Sequence, residues 1–401
     1  MKKIALISVL IWGTLFPVFS INYYVSVTGN NSFSGLNPEA AKRTIQAASD
    51  LSAPGDSVIV LDGTYTTNAG GIFAYITSAH SGTPDKPITY KAAHKGLVTL
   101  NGNNNASEYG FYLDNADCIN IEGFEIKETS TMGIAIIAGS ANIAVRDNYI
   151  HHNGRRFVET SWGLDAIYIK QSGPVLVERN LIHDIGRFAE GENGAAYSTD
   201  WFIYWKDHDH GVYIEGSNNV TIQNNVFYNM HRGFSMQVYS GSGLTSTSIN
   251  FINNTCENGN FNSTVQGHVV LYGSITNGII ANNLFKNQYS SAIHVAQREF
   301  TYSNVLITKN LTGGGNSVYG TAIGVTITAN YDNQDPLFVD EANHNYALSA
   351  GSPAINKGYA SGLTTDFLGN PRDIPDIGAY EFQSTAVPKR VPGKGKVLVV
   401  N

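Results

Sequence analysis

A short apolar signature led by a small residue recurs through the middle of this chain. The copies are Gly110-Phe111-Tyr112-Leu113, Gly133-Ile134-Ala135-Ile136, Ala166-Ile167-Tyr168-Ile169, Gly211-Val212-Tyr213-Ile214, Gly233-Phe234-Ser235-Met236 and Ala292-Ile293-His294-Val295. The tightest copies return after roughly two dozen residues, in the range of stacked repeat architectures. Alternation of apolar and variable positions means strands with one face buried. Each coil would pack its apolar face on the next and pair its backbone with it, at about 4.8 Å per coil. The fold this dictates is all-β, a parallel β-helix.

A second strand in each repeat gives an independent signal. Asn148, Asn180, Asn225, Asn254, Asn283 and Asn310 fall in one column, and two places later stand Ile150, Ile182, Phe227, Cys256, Phe285 and Thr312. A buried amide needs partners, and stacked amides supply them to one another. An internal Asn ladder at the strand-to-turn corner is therefore expected.

Residues 1–20 read as a secretory signal: Lys2-Lys3, an apolar run from Ile4 to Phe19, and Val18-Phe19-Ser20 before the cut. The run is short for a membrane span, and no later stretch qualifies. A secreted or periplasmic location is expected. The solenoid should occupy residues 21–382, with an N-terminal cap over about 21–105, regular coils over about 106–330 and an irregular C-terminal cap over about 331–382 that covers the last coil. Residues 383–401 form a tail. Cys118 and Cys256 lie coils apart, so two free thiols are expected rather than a disulfide. With 25 Lys and Arg against 32 Asp and Glu, the net charge is −7, which disfavours nucleic acid as a partner. A monomer is expected.

The opening Tyr23-Tyr24-Val25-Ser26, Thr44-Ile45-Gln46 and Gly55-Asp56-Ser57-Val58, together with the Asn-ladder coils, resemble secreted right-handed parallel β-helix proteins of the pectate-lyase-like superfamily. The ending resembles the choice-of-anchor Q group, on Ser352-Pro353-Ala354-Ile355-Asn356, Asp366-Phe367-Leu368-Gly369-Asn370-Pro371-Arg372 and Asp376-Ile377-Gly378-Ala379-Tyr380-Glu381. That superfamily hosts lyases, hydrolases, epimerases and non-enzymes, so the fold by itself does not name a reaction.

Chemistry is sought where coil alignment stacks ionisable side chains. Tyr168, Tyr213 and Ser235 fall in one outward column, and Lys170, Glu215 and Gln237 in the next. Asp165, His210 and Arg232 precede their strands. Asp165, Tyr168, Lys170, His210, Tyr213, Glu215, Arg232 and Gln237 are thus expected on one outer face. Insertions before Asp165 and His210 should wall a groove beside it. Trp162 and Trp205 would stack on sugar rings, Arg155 and Arg156 would pair with acidic groups, and Gln237 and His294 would extend the binding surface.

Two reactions fit this patch. In a lyase acting on a uronate-containing polysaccharide, Lys170 or His210 would be the base, Arg232 would neutralise the carboxylate, and Tyr168 or Tyr213 would protonate the leaving oxygen. Ile169-Lys170-Gln171-Ser172 resembles the base position of the alginate lyase and chondroitinase B family. That family carries Arg on the next coil, where this chain has Glu215. In a glycoside hydrolase, Asp165 and Glu215 would flank the bond. A uronan epimerase would use a similar patch, and a non-catalytic glycan-binding helix would use only its binding surface. The lyase is the favoured reading. Calcium is the candidate cofactor, with Asp207 and Asp209 as ligands and Asp165 and Glu215 offering further oxygens.

Overall fold

The computed structural model describes residues 20–159, 162–198, 207–259, 266–288, 290–297 and 299–384. Three parallel sheets run along the stack. The first has 11 strands, from Asn22–Val25 to Val325–Thr328. The second and third have 9 each, from Gly63–Tyr65 to Leu311–Thr312 and from Ile72–Thr77 to Asn316–Tyr319. Each strand pairs with its counterparts one coil away, as in the series Ile143, Val175, Val220 and Ile249. The chain is a right-handed parallel β-helix.

The expected Asn ladder is present, at the corner between the first and second sheets. Asn148 Nδ2 donates to Asn180 Oδ1 at 3.1 Å, and the series continues through Asn225 (3.0 Å), Asn254 (3.0 Å), Asn283 (3.1 Å) and Asn310 (2.9 Å). It runs one step further, to Asn330 at 3.0 Å. Each Oδ1 also accepts a backbone N–H from the preceding coil, as Asn225 does from Asn180 at 2.8 Å. The residue before each ladder position has left-handed backbone, from Asp147 (φ 58°) to Ala329 (φ 51°), which makes the corner tight. Ile150, Ile182, Phe227, Cys256 and Phe285 fill the core beneath it. Cys118 and Cys256 are buried free thiols.

The coils begin earlier than residue 106, since Ser57–Val60 already pairs with Ile88–Ala92 in the first sheet. The short helix Ile45–Ser49 lies over the open end. Thr44 Oγ1 caps it by accepting the Ala47 N–H at 3.2 Å, and its Ile45 and Ala48 side chains join the core.

The C-terminal segment covers the last coil only in part: Tyr331 pairs with Leu311 and Asp332 accepts the Ser317 N–H, while Ile323 at the far turn is 98% exposed. The segment also folds back along the flank of earlier coils. Corner residues Asn224, Asn253 and Asn282 donate their side-chain amides to the carbonyls of Thr365 (2.8 Å), Asp376 (2.9 Å) and Tyr359 (2.8 Å). Phe367, Ala379 and Tyr380 bury themselves against Val226, Tyr228 and Tyr346. Arg372, Asp376 and Glu381, part of the motif-bearing ending, form a buried polar cluster that ties the segment together. The left-handed corner turns these amides outward, which offers the returning chain a row of donors.

Candidate functional site

The third sheet carries a groove of about 530 Å³ across the coils built on Met132–Ile137, Ile167–Lys170, Val212–Glu215 and Met236–Tyr239. Register places Tyr168 beside Tyr213 and Lys170 beside Glu215. The inward Ile167, Ile169, Val212 and Ile214 are fully buried, so the alternate residues must face the groove side. Tyr168, Tyr213 and Tyr239 form an aromatic staircase with ring centroids 5.6 and 6.1 Å apart. Trp162, 58% exposed, stands on the opposite wall with Gly163 and His208.

Two polar groups meet the carboxylate of Glu215, which lines the groove. Lys170 Nζ lies 3.2 Å from Glu215 Oε2, and the Tyr168 hydroxyl donates to the same oxygen at 3.3 Å. Burial, with Glu215 beside it, pushes the Tyr168 phenol well above its ordinary value, so it keeps its proton. Asp165 also lines the groove. Its Oδ1 accepts the His210 N–H at 2.7 Å, and burial pushes its carboxyl well above the usual carboxylate range. Gln237 stands level with Tyr213, and its Oε1 has no hydrogen-bond partner among the described residues.

Several expected positions change. His210 does not lie on the outer face: it is 1% exposed, with its ring between Tyr213 and Phe234 at 5.4 and 5.2 Å. Its Nδ1 accepts the Phe234 N–H at 3.1 Å, and burial holds the ring neutral. Arg232 is buried too, with its guanidinium 4.3 Å from the centre of the Tyr197 ring. For Arg232 the cause is a slip of two residues in the alignment. Val212 pairs with Met236, so Ser235, not Gly233, is the counterpart of Gly211, and Arg232 falls level with His208. Gln237 consequently sits in the Tyr213 column and Tyr239 in the Glu215 column. A slip of two leaves the in–out alternation intact, so hydrophobicity cannot reveal it.

Arg155 is committed to structure. It donates to the carbonyls of Gly186 (3.0 Å) and Arg187 (2.9 Å) and pairs with Glu192. Arg156 is half-buried beside Arg187, outside the groove wall. His294 continues the Tyr213 column through Gln237 and Val270, three coils away. Trp205 lies outside the described residues. Tyr109, Thr131, Met132, Gly163, His208 and Tyr239 complete the wall, beyond the site residues expected from the sequence. The signal for Tyr239 was its place four residues after Ser235, legible only once the register is known.

One of the two expected calcium ligands has its carboxylate engaged within the protein. Asp209 is fully buried, with Oδ1 taken by Leu164 N–H (3.0 Å) and Arg187 Nη2 (2.9 Å) and Oδ2 by Arg187 N–H (2.8 Å). These bonds commit Asp209 to the groove wall.

A family model described as a right-handed β-helix region matches residues 88–247. The chain is 22% identical to an uncharacterized protein, YwoF, of Bacillus subtilis (strain 168), over 441 aligned residues that cover 82% of this chain and 91% of that one. Its structure is similar to that of pectate lyase Pel9A, with a TM-score of 0.61, 16% identity, and coverage of 91% of this chain and 97% of the other. It is also similar to Geobacillus virus E2 ORF18, with a TM-score of 0.50, 16% identity, and coverage of 78% and 58%. At these identities the likeness speaks for the β-helix fold. Among the described residues, no helix is long and apolar enough to cross a membrane.

Proposed function

We propose that this chain is an exported carbohydrate-active enzyme that binds a uronate-containing polysaccharide along the groove of the third sheet and cleaves it by β-elimination. One observation carries this reading: a cation, a carboxylate and a protonated phenol, Lys170, Glu215 and Tyr168, meet within 3.3 Å on two adjacent coils beside a Trp- and Tyr-lined groove. The similar fold of a pectate lyase supports it as a scaffold for such chemistry. Lys2-Lys3 and the following apolar run support export.

The roles follow from the contacts. Lys170, with a side chain 39% exposed, turns from Glu215 to pair with the uronate carboxylate and makes the adjacent ring proton more acidic. Glu215 Oε1 accepts no hydrogen bond among the described residues, and it removes that proton as the C4–O bond breaks and the C4=C5 bond forms. Tyr168 gives its proton to the leaving oxygen. The proton on Glu215 then returns to Tyr168 across their own hydrogen bond, which restores both groups.

A hydrolase reading is favoured by Asp165, whose carboxyl burial raises in the direction a general acid needs. It is weakened by the carboxylates' present contacts: Asp165 is buried with Oδ1 accepting the His210 N–H, and Glu215 is held by Lys170 and Tyr168. The test is a panel of uronate-containing polysaccharides followed by ultraviolet absorbance and by reducing ends. New ends with absorbance from the unsaturated sugar support elimination. New ends without absorbance replace it with hydrolysis at Asp165 and Glu215.

A further inference from the structure

The second sheet carries a cluster of histidines outside the groove. His151 and His183 are in register on neighbouring coils, and their rings stack 4.8 Å apart and 2° from parallel. Both are tied at Nε2: His151 to Glu125 Oε1 at 3.0 Å, His183 to the Tyr149 hydroxyl at 2.6 Å. Their Nδ1 atoms face the next residue in each coil. His151 Nδ1 lies 2.8 Å from His152 Nδ1, and His183 Nδ1 lies 2.6 Å from Asp184 Oδ2. His152 and Asp184 occupy the left-handed position (φ 56° and 51°) that Asn takes in later coils at 229, 258 and 287. One ligand atom each of His152, His183 and Asp184 lies within 4.8 Å of the other two.

We infer that His152, His183 and Asp184 form a binding site for a divalent transition metal of the zinc class. Two imidazoles and one carboxylate are a borderline N/O donor set, which suits Zn²⁺ and is too poor in oxygen for Ca²⁺. The surroundings match what a ligating shell needs. Tyr149 holds the far nitrogen of His183, and His231 Nε2 holds Asp184 Oδ1 at 2.9 Å, leaving Oδ2 on the side of the histidines. A fourth position falls to water or to His151 Nδ1. The site joins the roots of both insertions, since His152 leads into the one ending at Asp165 and Asp184 into the one ending at His210. The bound metal is a clip between the two walls of the groove and takes no part in the chemistry there.

The test uses untagged full-length protein, stripped with a chelator and titrated with ZnCl₂ or CaCl₂ by calorimetry, with thermal melts alongside. One zinc per chain is expected, with a higher melting temperature, and no comparable response to calcium. His152 is exposed, so His152→Ala should fold, checked by circular dichroism, and bind zinc at least tenfold more weakly. Asp184→Asn should act in the same direction. Tetrahedral absorption bands from Co²⁺ in the wild type, lost in His152→Ala, would identify the ligands directly. Absence of zinc binding, equal binding of calcium, or zinc affinity unchanged in both variants each overturns the assignment, leaving a hydrogen-bonded histidine stack.

Discussion

Arg187 Nη2 lies 2.9 Å from Asp209 Oδ1, and neither side chain exposes any surface. The same carboxylate accepts the backbone N–H groups of Leu164 and Arg187, and Arg187 Nη2 also reaches the Trp162 carbonyl. One buried ion pair thus fastens the end of the first insertion to the start of the second and positions the groove wall. Removing one partner strands the other charge. Asp209→Ala is expected to cost about 3–5 kcal/mol in denaturant unfolding, and the double variant Arg187→Met with Asp209→Leu should cost less than the sum of its two single variants. Strictly additive losses would show that charge pairing does not hold the wall.

The Asn ladder sets a second expectation. Asn225 donates to Asn254 Oδ1, Val177 O and Gln223 O, and accepts from the backbone and side chain of Asn180. Asn225→Ala strands buried groups above and below, so a loss of about 1–3 kcal/mol is expected. Asn254→Ala should behave alike. Unchanged unfolding midpoints in both would mean the amides contribute nothing net.

In the groove, Glu215→Gln keeps shape and removes the base. A fall of about 10²–10⁴ in kcat on the responsive polysaccharide is expected, with KM little changed. Tyr168→Phe should lower kcat in the same way. Trp162→Ala should weaken oligosaccharide binding in calorimetry with the fold intact. Normal turnover in Glu215→Gln would remove the elimination mechanism given above.

Acid should destabilise the fold through its buried neutral histidines. Burial pushes His208 and His268 down to about 4. Unfolded, they titrate near 6.5. Between these values the unfolded chain binds protons that the folded chain refuses, so stability is lost as pH falls from about 6.5 towards 4. For His268, fully buried, the contribution is on the order of 3 kcal/mol at most. His268→Phe, whose ring can keep the stack on Phe285, should lose less melting temperature between pH 7 and pH 4.5 than the wild type. Parallel pH profiles for the two proteins would remove His268 as a cause.

The ladder, the parallel coils and the free thiols were legible in the sequence because each is a local pattern repeated. A column of Asn beside a column of apolar residues has one economical packing, and Asn148 to Asn310 adopt it. Lys170 against Glu215, and Tyr168 against Tyr213, were legible for the same reason: their coils carry an unambiguous frame. The frame failed at Gly233, where a glycine two residues early imitated the true start at Ser235. Because side chains alternate with period two, that slip was silent, and only backbone pairing of Val212 with Met236 exposed it. Burial was likewise beyond a column alignment. Whether Asp165, His210 and Arg232 meet water depends on what the insertions lay over them, and that is decided by Arg187 and Asp209, residues 22 apart in sequence. The return of the C-terminal segment along the flank was decided in the same way, by outward amides at Asn224, Asn253 and Asn282 meeting carbonyls that lie 77 to 141 residues away. Periodic contacts repeat in the sequence and can be read there; single long-range contacts occur once, and only the folded chain brings their partners together.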